Sequence, residues 1–115
     1  MDSWVADLLQ RPELARLARD AWKRTNARPG GRWIDIWDAP IMKQFLGPDG
    51  RTPFCSQPDG AVHLVFSLFV DWFNPYGNKK AGKSHSIGAI YLVCLNLPPD
   101  IRYRTENIYL AGIIP

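Results

Sequence analysis

The chain has 115 residues, of which 46% are hydrophobic and 22% are charged, and its net charge is +3. This composition is typical of one packed domain and excludes a disordered chain, and the mild positive charge permits contact with nucleic acid without requiring it. The two cysteines, Cys55 and Cys94, are far apart and have no CxxC spacing, which argues against a structural zinc site and against a disulfide framework.

The N-terminal residues predict an intracellular protein. The first fourteen, MDSWVADLLQRPEL, contain acidic residues and a proline where a signal peptide needs a basic start and a longer apolar run. No apolar run approaches the length of a membrane span. We therefore expect a nuclear or cytoplasmic location.

The segment from Asp2 to Asn26 predicts helix in two pieces. Asp2 or Ser3 can cap the first piece, and Pro12 is tolerated only at the start of the second. The second piece, to Arg24, carries an apolar stripe formed by Leu14, Leu17, Ala18 and Trp22. Its arginines form either a solvated face or a surface that contacts DNA.

A turn at residues 26–31 leads to a short helix over Ile41–Leu46, which Asp38 would cap and Gly47 would end. Glycine and proline then dominate up to Gly60, as is typical of loops. We place a boundary there. Residues 1–60 form a helical region with Pro/Gly-rich loops, and residues 61–115 form a sheet.

Three strands are predicted after this boundary, at His63–Phe73, Ser86–Leu95 and Ile108–Ile114. The first two should pair antiparallel, because the turn-rich connection at residues 74–83 is too short for a crossover helix. The chain stops on the third strand without a polar exit, so we expect it to be truncated. The predicted fold class is α+β.

Asp71 is the candidate functional residue. The first strand is apolar on both faces, which is typical of a strand in the middle of a covered sheet, so Asp71 near its end is expected to be rigid and partly dehydrated. Such a carboxylate needs a backbone donor, a cationic side chain or a metal ion. Amide donors from the following turn are the alternative to a functional role.

Three motifs occur in fixed order in the second half of the chain: DWFNPYGN from Asp71, NLPP from Asn96 and LAGIIP from Leu110. This sequence resembles the Tnp2-like transposases of CACTA-type DNA transposons, above all those of basidiomycete fungi. The resemblance extends over residues 33–115 and is most specific after Asp71.

The resemblance implies a DDE/D transposase whose catalytic core is RNase H-like. Acidic residues of such a core hold two divalent cations, Mg²⁺ or Mn²⁺, about 3.5 to 4 Å apart, which activate the attacking oxygen and stabilise the leaving oxygen of a phosphodiester. Asp71 matches the first of these residues, as catalytic residue and metal ligand. The implied fold is a truncated RNase H-like core, namely a three-stranded antiparallel meander preceded by N-terminal helices.

Two departures from the family pattern limit the implied activity. The other acidic ligands lie further downstream in the family, and Asp100 and Glu106 match no catalytic position. Trp72 stands where plant relatives have glycine, and it would crowd the metal face if the strand were slipped by one residue. We therefore expect a fragment that is inactive alone. The alternatives are a non-enzymatic remnant that binds DNA or protein, and an unrelated α+β interaction module.

The remaining candidates concern partners. Lys79, Lys80 and Lys83, in the turn between the first two strands, either contact DNA or serve solubility. Arg102 and Arg104 could contact DNA or pair with Glu106. The expected partners are DNA, as transposon ends in intact relatives, and a second copy through an exposed sheet edge. No membrane contact is expected, and both histidines, His63 and His85, have no metal-ligand spacing.

Overall fold

A computed structural model describes residues 1–26, 32–56, 61–75 and 86–115. This part of the chain contains four α-helices and three strands: α1 (Asp2–Gln10), α2 (Pro12–Arg19), α3 (Pro40–Gln44), α4 (Pro99–Arg102), β1 (Phe66–Phe73), β2 (Ile87–Cys94) and β3 (Ile108–Ile114). Together they confirm the predicted α+β class. Among the described residues, no helix is long and apolar enough to cross a membrane.

The N-terminal helix is broken at the predicted place. Arg11 takes an extended conformation between α1 and α2, and Pro12 occupies the first turn of α2, where its missing N–H costs nothing. The capping prediction was wrong, because Met1 is the N-cap of α1 and no side chain bonds there. Helix α2 also ends early, at Arg19, and a 3-10 turn follows over Ala21–Asn26.

Asp38 does not cap α3. It ends a 3-10 turn at Ile36–Asp38, and its carboxylate accepts from the backbone N–H groups of Ile34 and Asp35 at 2.9 and 3.1 Å. Asp35 is the N-cap of that turn and completes a capping box with Asp38. Because α3 begins at Pro40, its N-cap is Ala39, and no side chain bonds there.

The sheet is an antiparallel meander in the order β1-β2-β3. The antiparallel pairing of the first two strands is confirmed, and β3 has the predicted bounds. The expectation that the first strand lies in the middle of the sheet was wrong. The central strand is β2, and β1 is an edge strand because nothing in the described residues pairs with its outer side.

The helices and loops that the structure describes cover one end of the sheet. On one face Trp4 of α1 packs against Phe66 and Tyr109, at ring-centroid distances of 6.3 and 5.5 Å. On the other face the buried Trp37 packs with Val65. Both contacts lie where β1 begins, so the half of β1 nearer Phe73 projects from the helices. The radius of gyration is accordingly 17.8 Å, well above the about 13 Å of a compact domain of this size.

Asn96 joins the helices to the sheet. Its fully buried amide donates to the carbonyl oxygens of Ala18 and His63, at 3.1 and 2.9 Å, and accepts from the N–H of Val65 at 2.8 Å. One side chain therefore satisfies backbone groups of α2 and of the residues that lead into β1. The backbone carbonyl oxygen of Asn96 accepts a hydrogen bond from Nη2 of Arg24.

Replacement of Asn96 by alanine is expected to lower the free energy of unfolding by about 3 kcal/mol, because it leaves buried backbone groups without partners. Urea denaturation followed by tryptophan fluorescence measures this loss. The matched control is Asn107→Ala, since Asn107 is also buried but its amide donates only to the Ile101 carbonyl oxygen. Equal losses in the two variants would contradict the role of Asn96.

Candidate functional site

Asp71 lies in β1, two residues before the strand ends, and its side chain is exposed. Across the strand pair it faces Ala89 of β2, which is buried. Its neighbours on the same face, Phe69 and Phe73, are themselves exposed. The expected partial dehydration of Asp71 was therefore wrong, because no helix or loop of the described residues covers this part of β1.

Trp72 occupies the opposite face from Asp71. Its indole lies across Gly88, where an added Cβ would come within 3.2 Å of two ring atoms of Trp72 and 3.3 Å of Cβ of Ile114. Glycine at this position leaves room for the ring against the central strand. Because the register pairs Asp71 with Ala89 and Trp72 with Gly88, the indole does not crowd the carboxylate.

The described residues do not supply the ligands of a two-metal site. They contain no group of three or more His, Cys, Asp or Glu side chains that could hold a metal ion. The two downstream acids lie elsewhere, Asp100 in α4 and Glu106 in a 3-10 turn before β3. The donor set around Asp71 therefore does not fit the implied metal pair. The proposed DNA contacts, Lys79, Lys80 and Lys83, fall outside the described residues, as does His85.

Arg102 is a structural residue. It is buried, and its guanidinium binds both carboxylate oxygens of Asp35 at 2.8 Å, while Nε donates to the Leu97 carbonyl oxygen at 2.7 Å. This bidentate ion pair holds α4 to the loop before α3, and neither a DNA contact nor a pair with Glu106 is available to Arg102. Arg104 is exposed and lines a cavity with Glu106.

An open groove lies over the ion pair, a feature that the sequence did not reveal. Its volume is about 610 Å³, and Trp33 and Tyr103 are exposed on its walls. Ser67 joins the groove to the face of β1 that carries Asp71. Asp71 lies four positions after Ser67, about 13 Å further along the extended strand. The groove and the carboxylate are therefore separate features and not parts of one small pocket.

Both cysteines are buried and neither is part of a catalytic arrangement with a described residue. Cys94 is fully buried near the end of β2, and Cys55 packs beside Trp37. Burial raises the pKa of both thiols, because the apolar surroundings disfavour the thiolate. The two side chains thus belong to the core.

We expect both thiols to react slowly with Ellman's reagent at pH 8, at less than about a tenth of the rate in 6 M urea, because only the exposed thiolate attacks the reagent. Absorbance at 412 nm measures both rates. A thiol that reacts in the native protein as fast as in urea would contradict the burial described above. Single Cys→Ser variants assign each rate to one residue.

Comparison with protein families, with curated proteins and with solved structures finds no match to this chain.

Proposed function

We propose that this chain is the first part of the catalytic domain of a Tnp2-like transposase, with the beginning of an RNase H-like core. The observation that carries the proposal is the position of Asp71. It opens the DWFNP motif near the end of the first strand of an antiparallel three-stranded meander. Metal-dependent DNA cleavage and strand transfer are the reactions of intact relatives, and their place is the nucleus.

The exposure of Asp71 supports a ligand role in an assembled site. A carboxylate that is held on a strand and open to solvent is free to bind an ion or a further protein segment, whereas a carboxylate bonded to turn amides is already satisfied. Mg²⁺ takes its protein ligands from clustered carboxylates. Asp71 alone supplies one of them, so the proposal assigns no catalysis to this polypeptide by itself.

The purified chain is expected to leave supercoiled plasmid DNA uncut with 5 mM Mg²⁺ or Mn²⁺, because one carboxylate cannot hold the metal pair of phosphodiester chemistry. Conversion to nicked circles on an agarose gel is the measurement, with Asp71→Asn as the matched variant. Cleavage by the wild type that Asp71→Asn abolishes would show an active enzyme and contradict the expectation of inactivity.

The genomic sequence after the Pro115 codon tests the family itself, which requires continuation into Gly-Pro and then further acidic motifs.

The competing proposal is a non-enzymatic remnant that binds DNA. The observation in its favour is that no cluster of metal-ligating side chains occurs in the described residues, while the whole chain has a net charge of +3. Binding of this kind comes from cations on phosphates and releases counterions.

A remnant that binds DNA should lose affinity as salt rises and should not respond to Mg²⁺ beyond its ionic strength. Fluorescence anisotropy of a labelled 30-base-pair duplex between 50 and 200 mM NaCl measures the salt slope. Replacement of Lys79, Lys80 and Lys83 by glutamine is expected to make the salt slope less steep, because up to three phosphate contacts are lost. An unchanged slope would remove these lysines from the interface, and affinity that requires Mg²⁺ and Asp71 would favour the transposase site.

A further inference from the structure

Among the described residues, no strand pairs with the outer edge of β1. The N–H of Leu95 donates to the carbonyl oxygen of Val65 at 2.8 Å, which places the polar groups of Val65 on the β2 side. Backbone groups of a strand alternate in direction, so every second residue from Val65 onward faces β2. The residues between them face outward, and these are Phe66, Leu68, Val70 and Trp72.

This edge lacks the proline, the lysine and the bulge that protect many edge strands. Residues 66–73 contain no proline, glycine, lysine or arginine, and Asp71 is their one charged residue. Leu68 and Trp72 are 65% and 56% exposed. The other edge of the sheet differs, because the register of β3 shifts between Leu110 and Gly112, which leaves a bulge at Ala111. A bulge interrupts pairing with an added strand, so β1 is the edge that can accept one.

The sequence of β1 is complementary to itself. When two copies run antiparallel with Phe69 on the two-fold axis, the outward residues pair as Phe66 with Trp72 and Leu68 with Val70. All four then exchange hydrogen bonds in pairs. On the other face Ser67 of each copy lies opposite Asp71 of the second copy, and a serine hydroxyl can donate to a carboxylate. No position brings like charges together in this register, because Asp71 is the one charged residue of the strand.

We propose that the chain forms a homodimer in which two β1 strands pair antiparallel through their free edges, with Phe69 on the two-fold axis and Ser67 opposite Asp71 of the second copy. The two meanders then make one continuous six-stranded antiparallel sheet. The apolar side chains of β1 gain neighbours on both faces, and the one charged residue of the strand gains a hydrogen-bond donor. A partner of another sequence would need its own donor at that position, whereas a second copy already has one.

The proposed register predicts which position of β1 can form an engineered disulfide between the two copies. Phe69 of the two copies would form a non-hydrogen-bonded pair, with Cα atoms about 4.5 Å apart, which suits a disulfide. In Phe69→Cys, mild oxidation is expected to cross-link two copies on a non-reducing gel. Val70→Cys is the matched control, because its pairing partner is Leu68 and the two Val70 positions are offset. Cross-linking of Val70→Cys and not of Phe69→Cys would overturn the register.

Charge at position 67 tests the same contact in solution. Ser67→Asp places carboxylates opposite each other twice, and we expect the dimer dissociation constant to rise about tenfold, whereas Ser67→Lys forms two ion pairs and lowers it. Sedimentation equilibrium at 1 to 100 μM measures both. Leu110→Asp, on the same face of β3, is the control that leaves the constant unchanged. A wild type that stays monomeric at 100 μM, or a dimer that only Leu110→Asp weakens, would overturn the proposal.

Asp71→Asn separates this inference from the proposed function. An asparagine side chain can still accept from Ser67 of the second copy, so the dimer is expected to persist with less than a threefold change in its dissociation constant. The same substitution removes the carboxylate that the transposase site needs. Loss of the dimer in Asp71→Asn together with no effect of Ser67→Asp would contradict the pairing described here and leave the metal role of Asp71 untouched.

Discussion

The amide of Asn96 is the interaction on which the fold depends. The side chain is fully buried, and it connects the end of α2 to the backbone that leads into β1. An amide with fewer partners would destabilise the core, since each lost bond leaves a buried group unsatisfied. Trp37 strengthens the same junction, because its indole Nε1 donates to the Leu95 carbonyl oxygen at 2.6 Å. The helices are thereby fixed at one end of the sheet.

This junction explains why Asp71 lies in the open. The described helices pack on the sheet near Phe66, and the strand continues for seven more residues beyond it. A carboxylate that far from the helices stays in contact with solvent. Its reactivity would have to come from further ligands around a shared cation. In the proposed transposase, the chemistry of Asp71 would therefore belong to an assembled site and not to the isolated strand.

The sequence predicted those features of the fold that depend on residues close together in the chain. Pro12 fixed the break between α1 and α2, and the apolar run at Ile108–Ile114 gave β3 its bounds. The edge position of β1 was not predictable in this way, because alternation shows which side chains share a face and not whether anything covers that face. The ion pair of Arg102 with Asp35 joins residues 67 positions apart, and neither residue carries a local signal of its partner.

The free edge of β1 connects the two proposals. A carboxylate can accept about four hydrogen bonds or ligands, so a bond from Ser67 of a second copy leaves Asp71 able to bind a cation. The backbone is more restrictive, because each outward N–H of β1 serves one acceptor. Any strand that extends the sheet beside β1 must therefore displace the second copy. The two proposals therefore describe mutually exclusive states of the same edge: it pairs either with a second copy or with a strand that completes a larger sheet around Asp71. The strand that binds the edge with the higher affinity excludes the other.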